Sequence, residues 1–97
     1  MRIIARRTLR EFWERHPEAQ LALEAWYDDA RRATWRTPND IRQVYANASI
    51  IAGNRVVFNI RGNHYRLEVA MHYQFGIVYI RFVGTHREYD QIDAASI

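Results

Sequence analysis

An α+β fold, with N-terminal helices packed on one face of a small, mainly antiparallel β-sheet, is predicted by three observations. Apolar residues recur at helical spacing as far as Ala48 and at a period of two beyond it. Turn-forming dipeptides, Gly53-Asn54, Gly62-Asn63 and Phe75-Gly76, divide the second half into short segments. No repeat, low-complexity stretch or linker interrupts the 97 residues, so the expectation is one domain over 1–97.

The elements follow in order. Residues 1–5 suit a short strand. Thr8 and Glu11 have the spacing of a capping box that opens a first helix, with Leu9, Phe12, Trp13 and His16 along its apolar side. Pro17 ends that helix and suits the first turn of a second, whose apolar face is Ala19, Ala22, Leu23, Trp26, Ala30 and Ala33. Arg31 and Arg32 complement its C-terminal dipole. Thr37-Pro38 reads as the N-cap of a short third helix that turns Ile41, Val44 and Tyr45 inward. Trp13 and Trp26 belong to the core, while Trp35 either caps the core or faces a partner. Strands are expected near 49–52, 55–61, 64–73 and 77–83, and the polar segment 84–97 is expected to be partly helical.

Strand register sorts the side chains. A two-residue loop at Gly62-Asn63 sets Ile60 opposite Tyr65, Asn59 opposite Arg66 and Phe58 opposite Leu67, and opposed residues share a face. One face is then apolar: Val56, Phe58, Ile60, Tyr65, Leu67, Val69, Met71 and Tyr73. The other carries Arg55, Val57, Asn59, Arg61, His64, Arg66, Glu68, Ala70 and His72. A two-residue loop at Phe75-Gly76 puts Val78, Ile80 and Phe82 in the core, opposite Tyr73, Met71 and Val69. Tyr79 and Arg81 join the basic face, Thr85 falls opposite Arg66, and His86 opposite Tyr65. Arg61, His64, Arg66, His86 and Arg87 should therefore converge at one end of the sheet.

Composition narrows the function. All 14 basic residues are arginine, none lysine, against 11 acids. Nine of those arginines lie in residues 1–45 among seven acids, where a GC-rich genome and helix solvation suffice as reasons. The other five, Arg55, Arg61, Arg66, Arg81 and Arg87, accompany three histidines and the single acid Glu68. An open face of this kind, with Tyr79, Asn59 and Asn63 interspersed, suits RNA, because arginine neutralises phosphate and planar groups stack on splayed bases. The plain alternative is a solvated sheet face on which Glu68 pairs with Arg66 or Arg81.

His64 and His86 beside several guanidinium groups suit general acid–base cleavage of a phosphodiester, with arginine stabilising the added charge of the transition state. A metal site is disfavoured. His64 and His72 lie eight residues apart, roughly 26 Å at strand rise, and carboxylates are nearly absent from that face. His16 reads as structural. The sequence has no cysteine, which excludes disulfides and thiol chemistry and is compatible with a reducing cytoplasm. No apolar run reaches the roughly 18 residues of a membrane span, and residues 1–7 lack a signal-peptide core.

Three stretches carry a resemblance. Ile4 to Trp13 with Trp26-Tyr27, Asn54 to Asn63 with Tyr65-Arg66-Leu67, and Ile80 to Asp90 resemble HigB-type toxins of bacterial type II toxin–antitoxin modules. The similarity covers essentially the whole chain and implies the RelE-like group of messenger-RNA interferases. It implies a bacterial, cytoplasmic, metal-independent endoribonuclease without cofactor, acting on mRNA at the ribosome. In that group a 2′-hydroxyl attacks the neighbouring phosphate, leaving a 2′,3′-cyclic phosphate and a 5′-hydroxyl. The implied partner is a helix-turn-helix antitoxin of HigA type, through which the complex meets DNA only indirectly.

By the same resemblance, Arg66 matches the arginine that contacts the scissile region, His86 stands where relatives carry a catalytic side chain, and Tyr89 matches a C-terminal aromatic. Val57 and Asn59 replace lysines of RelE proper, so the proton-transfer set must differ. The expected catalytic set is Arg66, His86, His64, Arg61 and Tyr89. Arg55, Asn59, Asn63, Arg81 and Arg87 are the expected RNA-binding set. A non-catalytic RNA-binding or translational regulatory module using the same face is the competing reading. A plain interaction domain that binds through its helices is a third.

Overall fold

A computed structural model describes residues 1–97. Strand β1 (Arg2–Ile4) leads into α1 (Arg6–Arg15), a 3₁₀ turn (Pro17–Ala19), α2 (Gln20–Arg32) and α3 (Pro38–Val44). Then come β2 (Ser49–Ile51), β3 (Arg55–Ile60), β4 (Tyr65–His72), β5 (Ile77–Thr85) and α4 (His86–Tyr89). The sheet order is β1-β5-β4-β3-β2, with β1 parallel to β5 and every other pair antiparallel. Helices on one face and a partly open second face give the expected α+β architecture.

The core lies between the helices and the apolar sheet face. Leu9, Phe12, Leu23, Trp26 and Ile41 meet Val56, Phe58, Leu67, Val69, Met71 and Val78, all nearly or fully buried. Trp26 meets Phe58 edge-on at 5.4 Å between ring centroids. Trp35 stacks on the same Phe58 and caps the core, which settles the choice left open for it. No helix is long and apolar enough to cross a membrane.

The helix starts need two corrections. Thr8 is not an N-cap: α1 begins at Arg6 with Ala5 as its cap, and no side chain caps it. Glu11 instead pairs with Arg7 at 3.3 Å, one turn back on the exposed side. Val44 stays exposed at the end of α3, because that helix turns Ile41 inward and ends before another turn can bury Val44. The Thr37 cap is present, reciprocated by Asp40.

The first hairpin has the expected register, Ile60 opposite Tyr65 and Asn59 opposite Arg66. Its turn is centred on Gly62-Asn63 as expected, but the strands stop one residue short of it on each side. Arg61 and Gly62 take positive φ, 52° and 65°, so residues 61–64 form the loop rather than strand ends. The second hairpin differs more. Tyr73–Gly76 forms the turn, and Val78 lies opposite Met71 and Ile80 opposite Val69. This two-residue slip leaves each side chain on its face.

A β-bulge between Glu68 and Val69 then makes Arg81 an extra residue on β5. From there onward the faces exchange: Phe82 lies opposite Glu68 on the outer face, not in the core, and Gly84 rather than Thr85 faces Arg66. The bulge keeps Arg81 exposed without placing it opposite Val69.

Candidate active site

The outer face is covered over much of its middle, unlike the open basic surface expected. Val57, Arg66 and Glu68 are buried there. Phe82 lies across Gly84, where an added Cβ would come within 2.6 Å of the Phe82 ring. Tyr89 packs against Phe82 at 6.3 Å between ring centroids. Arg55 is engaged within the fold: its Nε donates to the Ile97 carbonyl at 2.8 Å and stands 3.6 Å from Glu68. Glu68 therefore neighbours Arg55, rather than pairing with Arg66 or Arg81. Burial pushes its carboxyl up to about 7, against the opposing pull of Arg55 and Arg81.

At one end of the sheet the backbones of residues 61–66 and 84–86 run side by side. Arg66 is anchored by the turn before it. One terminal nitrogen donates to Asn63 Oδ1 at 2.7 Å, and the other to the Asn63 and Tyr65 carbonyls at 3.2 and 3.3 Å. Three hydrogen bonds hold this largely buried, five-donor guanidinium in place. Gly84 stands opposite Arg66 across the ladder and places no side chain beside it. Asn59 is its partner on the other side, half-buried on β3.

His64 follows Asn63 in the exposed turn. Its Nδ1 meets the Arg61 carbonyl at 3.0 Å. A carbonyl only accepts, so Nδ1 carries the proton and Nε2 of the neutral ring keeps a lone pair. The chain then returns at the same place: the His86 amide donates to the His64 carbonyl at 3.3 Å. His86 Nδ1 lies 3.2 Å from Asp90 one turn along, an exposed pairing that engages Nδ1 rather than Nε2. The two imidazoles are thus presented by neighbouring backbone segments.

The short helix α4 exists because of its cap. Thr85 Oγ1 accepts from the Glu88 amide at 3.1 Å, and Glu88 Oε1 accepts from the Thr85 amide at 2.8 Å. This is the spacing also seen at Thr8 and Glu11, and here it forms. Thr85→Ala is expected to cost about 1 kcal/mol of local stability. The change should appear as faster amide exchange at Glu88 with little change in Tm.

Arg61 and Arg87 are exposed at this end. Tyr89 is half-buried, and burial together with Glu68 raises its phenol above the ordinary range, while Arg66 opposes the rise. It is a neutral group at neutral pH. Arg55 and Arg81 lie farther along the strands, and the structure does not bring them to the cluster.

Sequence reasoning missed two contributions. Arg2 joins the outer face because β1 pairs with β5, setting Arg2 beside Ile77. A three-residue strand carries no sign of which edge it will join. Near the cluster, the Tyr65 hydroxyl donates to Glu18, and His16 stacks on Phe12 at 4.5 Å beside Tyr65. That contact ties the 3₁₀ turn to the first residue of β4. His16 is structural there, as read.

Residues 19–92 match the family model HigB_toxin, described as the RelE-like toxic component of a toxin-antitoxin system. The chain is 26% identical over 92 residues to the mRNA interferase toxin HigB of Escherichia coli strain K12, covering 93% of this chain and 88% of that protein. The mRNA interferases HigB of Escherichia coli O157:H7 and Shigella flexneri match with the same identity and coverage.

Proposed function

The chain belongs to the RelE-like HigB toxin family, and from that premise we propose that it is an mRNA interferase whose active site is the Arg66, His64 and His86 cluster. The observation that carries this reading is the seating of Arg66. Its guanidinium is fixed by Asn63 at 2.7 Å, on a strand whose start meets the two backbone segments that carry His64 and His86, each with its Nδ1 occupied.

The chemistry uses these groups directly. One imidazole Nε2 takes the proton of an RNA 2′-hydroxyl, whose oxygen attacks the adjacent phosphorus. The second imidazole, entering as the imidazolium with a proton on Nε2, gives that proton to the departing 5′-oxygen. The products are a 2′,3′-cyclic phosphate and a 5′-hydroxyl. Arg66, with Arg61 and Arg87, stabilises the additional negative charge on the phosphorane oxygens. Tyr89 is a neutral hydrogen-bond donor at the same end. Asn59 and Asn63 line the approach, and Arg81, with Arg55 once freed, draws the RNA backbone along the sheet.

Membership of a toxin–antitoxin family gives the chain an antitoxin partner. A HigA-type helix-turn-helix protein, a ribosome-bound message and a bacterial cytoplasmic setting complete the proposal. Mapping RNA ends after brief expression, with and without translating ribosomes, tests it. New 5′-hydroxyl ends within messages are expected, dependent on translation. Intact messages would overturn it.

A further inference from the structure

The far end of the outer face holds a feature that the cleavage cluster does not use. β3 begins at Arg55, opposite Ala70, so Met71 and His72 at the end of β4 overhang their neighbour strand. This step leaves a depression of about 270 Å³ lined by Asn54, Met71, His72, Tyr73, Gln74 and Phe75. Met71 adjoins it from the core side of β4 and is itself buried. The rings of His72 and Phe75 lie 6.0 Å apart and within 25° of parallel, and Tyr79 abuts His72 edge-on at 5.6 Å. Phe75 is 67% exposed. Asn54 and Gln74 present exposed amides on the rim. Two strands across from His72, on the same face, stands exposed Arg2.

We propose that this hairpin tip is a nucleobase subsite, in which an unpaired base of the RNA stacks on the Phe75 and His72 rings. The Asn54 and Gln74 amides meet the polar edge of that base, and Arg2 meets the flanking phosphate. A planar pair with one ring largely exposed, amide donors and acceptors, and a nearby guanidinium suit an extruded base.

The inference rests on the reading of the protein as an RNA enzyme and adds where the substrate is gripped. His72 lies six residues beyond Arg66 on β4, roughly 20 Å at strand rise. A single strand running between the two spans several nucleotides, so the grip sits apart from the scissile phosphate. Its role is to position RNA, not to react.

Equilibrium anisotropy with an end-labelled single-stranded RNA, 2′-O-methylated throughout so that it cannot be cut, tests binding apart from cleavage. Phe75→Ala and His72→Ala are each expected to weaken binding roughly tenfold, the scale of one lost base stack, with Phe75→Tyr restoring it. One position of an abasic scan should weaken the wild-type protein to the same degree and leave Phe75→Ala no weaker still. Because Phe75 is largely exposed, an unchanged Tm is expected to accompany the loss. If Phe75→Ala binds as tightly as wild type, or wild type fails to bind the RNA, the subsite is wrong. Binding that depends on Phe75, in a protein that leaves unmodified messages intact, would support the subsite and overturn only the nuclease reading.

Discussion

Arg66→Ala is expected to lower the rate of message cleavage by roughly 10²–10³-fold, the scale on which loss of one preorganised charge-stabilising donor acts. The folded state should survive. Arg66 lies on the outer face rather than in the apolar core, and its protein partners are two oxygens of Asn63 in the turn before it and the buried Tyr65 carbonyl. Its removal leaves these acceptors to water or unpaired, a cost of about 1–3 kcal/mol. Arg66→Lys should not restore the rate, because an ammonium cannot keep the Asn63 bonds and offer a planar fork to phosphate at once. His86→Ala and His64→Ala are each expected to cost roughly 10²–10⁴-fold. Primer extension on expressed messages, with growth arrest as the second readout, measures all four variants. A non-catalytic RNA-binding module predicts a different split: the arginine variant loses binding while the histidine variants lose nothing. If Arg66→Ala and His86→Ala both remain fully toxic, the site lies elsewhere.

Much of this site was readable because hairpin register is a local property. Gly62 fixes where β3 turns, and alternating apolar residues on both sides allow one pairing that buries them together. Arg66 opposite Asn59 follows from that alone. What escaped were features set by tertiary closure. The bulge at Arg81 is invisible in alternation, since Phe82 is apolar and looks equally suited to the core. Its ring has somewhere else to go only because Gly84 is bare and α4 brings Tyr89 over it. The covered outer face has the same origin. Arg55 reads as an RNA contact until the chain's last residues return to it. Thr8 and Thr85 share one spacing to a glutamate, yet only Thr85 leaves an extended strand at the residue where a helix begins. Spacing states that a cap can form; the backbone before it decides whether it does.

Glu68→Gln is expected to flatten the dependence of stability on pH and to stabilise the protein above neutrality. The Glu68 side chain is fully buried, neither carboxylate oxygen has a hydrogen-bond partner, and the nearest cation, Arg55 Nε, is 3.6 Å away. Burial raises the carboxyl from 4.5 to about 7, Arg55 and Arg81 pull it down, and Asp93 pushes it up. Below pH 4.5 the group is protonated in both folded and unfolded chains and contributes nothing to the difference. Between 4.5 and about 7 the unfolded chain gives up its proton while the folded chain keeps it, so stability falls as pH rises. Above about 7 both are ionised and the loss is constant, about 3 kcal/mol for a rise of this size. Glutamine keeps the shape and cannot ionise. The two proteins should therefore have similar Tm at pH 4.5 and diverge as pH rises, until the variant leads at pH 8 by on the order of 10 °C. Every other titrating group is common to both, so the difference between their curves isolates Glu68. Parallel curves from pH 4.5 to 8 would show that its carboxyl titrates as an ordinary one. The variant should also loosen Arg55, whose other partners are the Gly53 and Ile97 carbonyls. A guanidinium released from Glu68 returns to the outer face, and RNA affinity should then rise in the same pH range in which stability does.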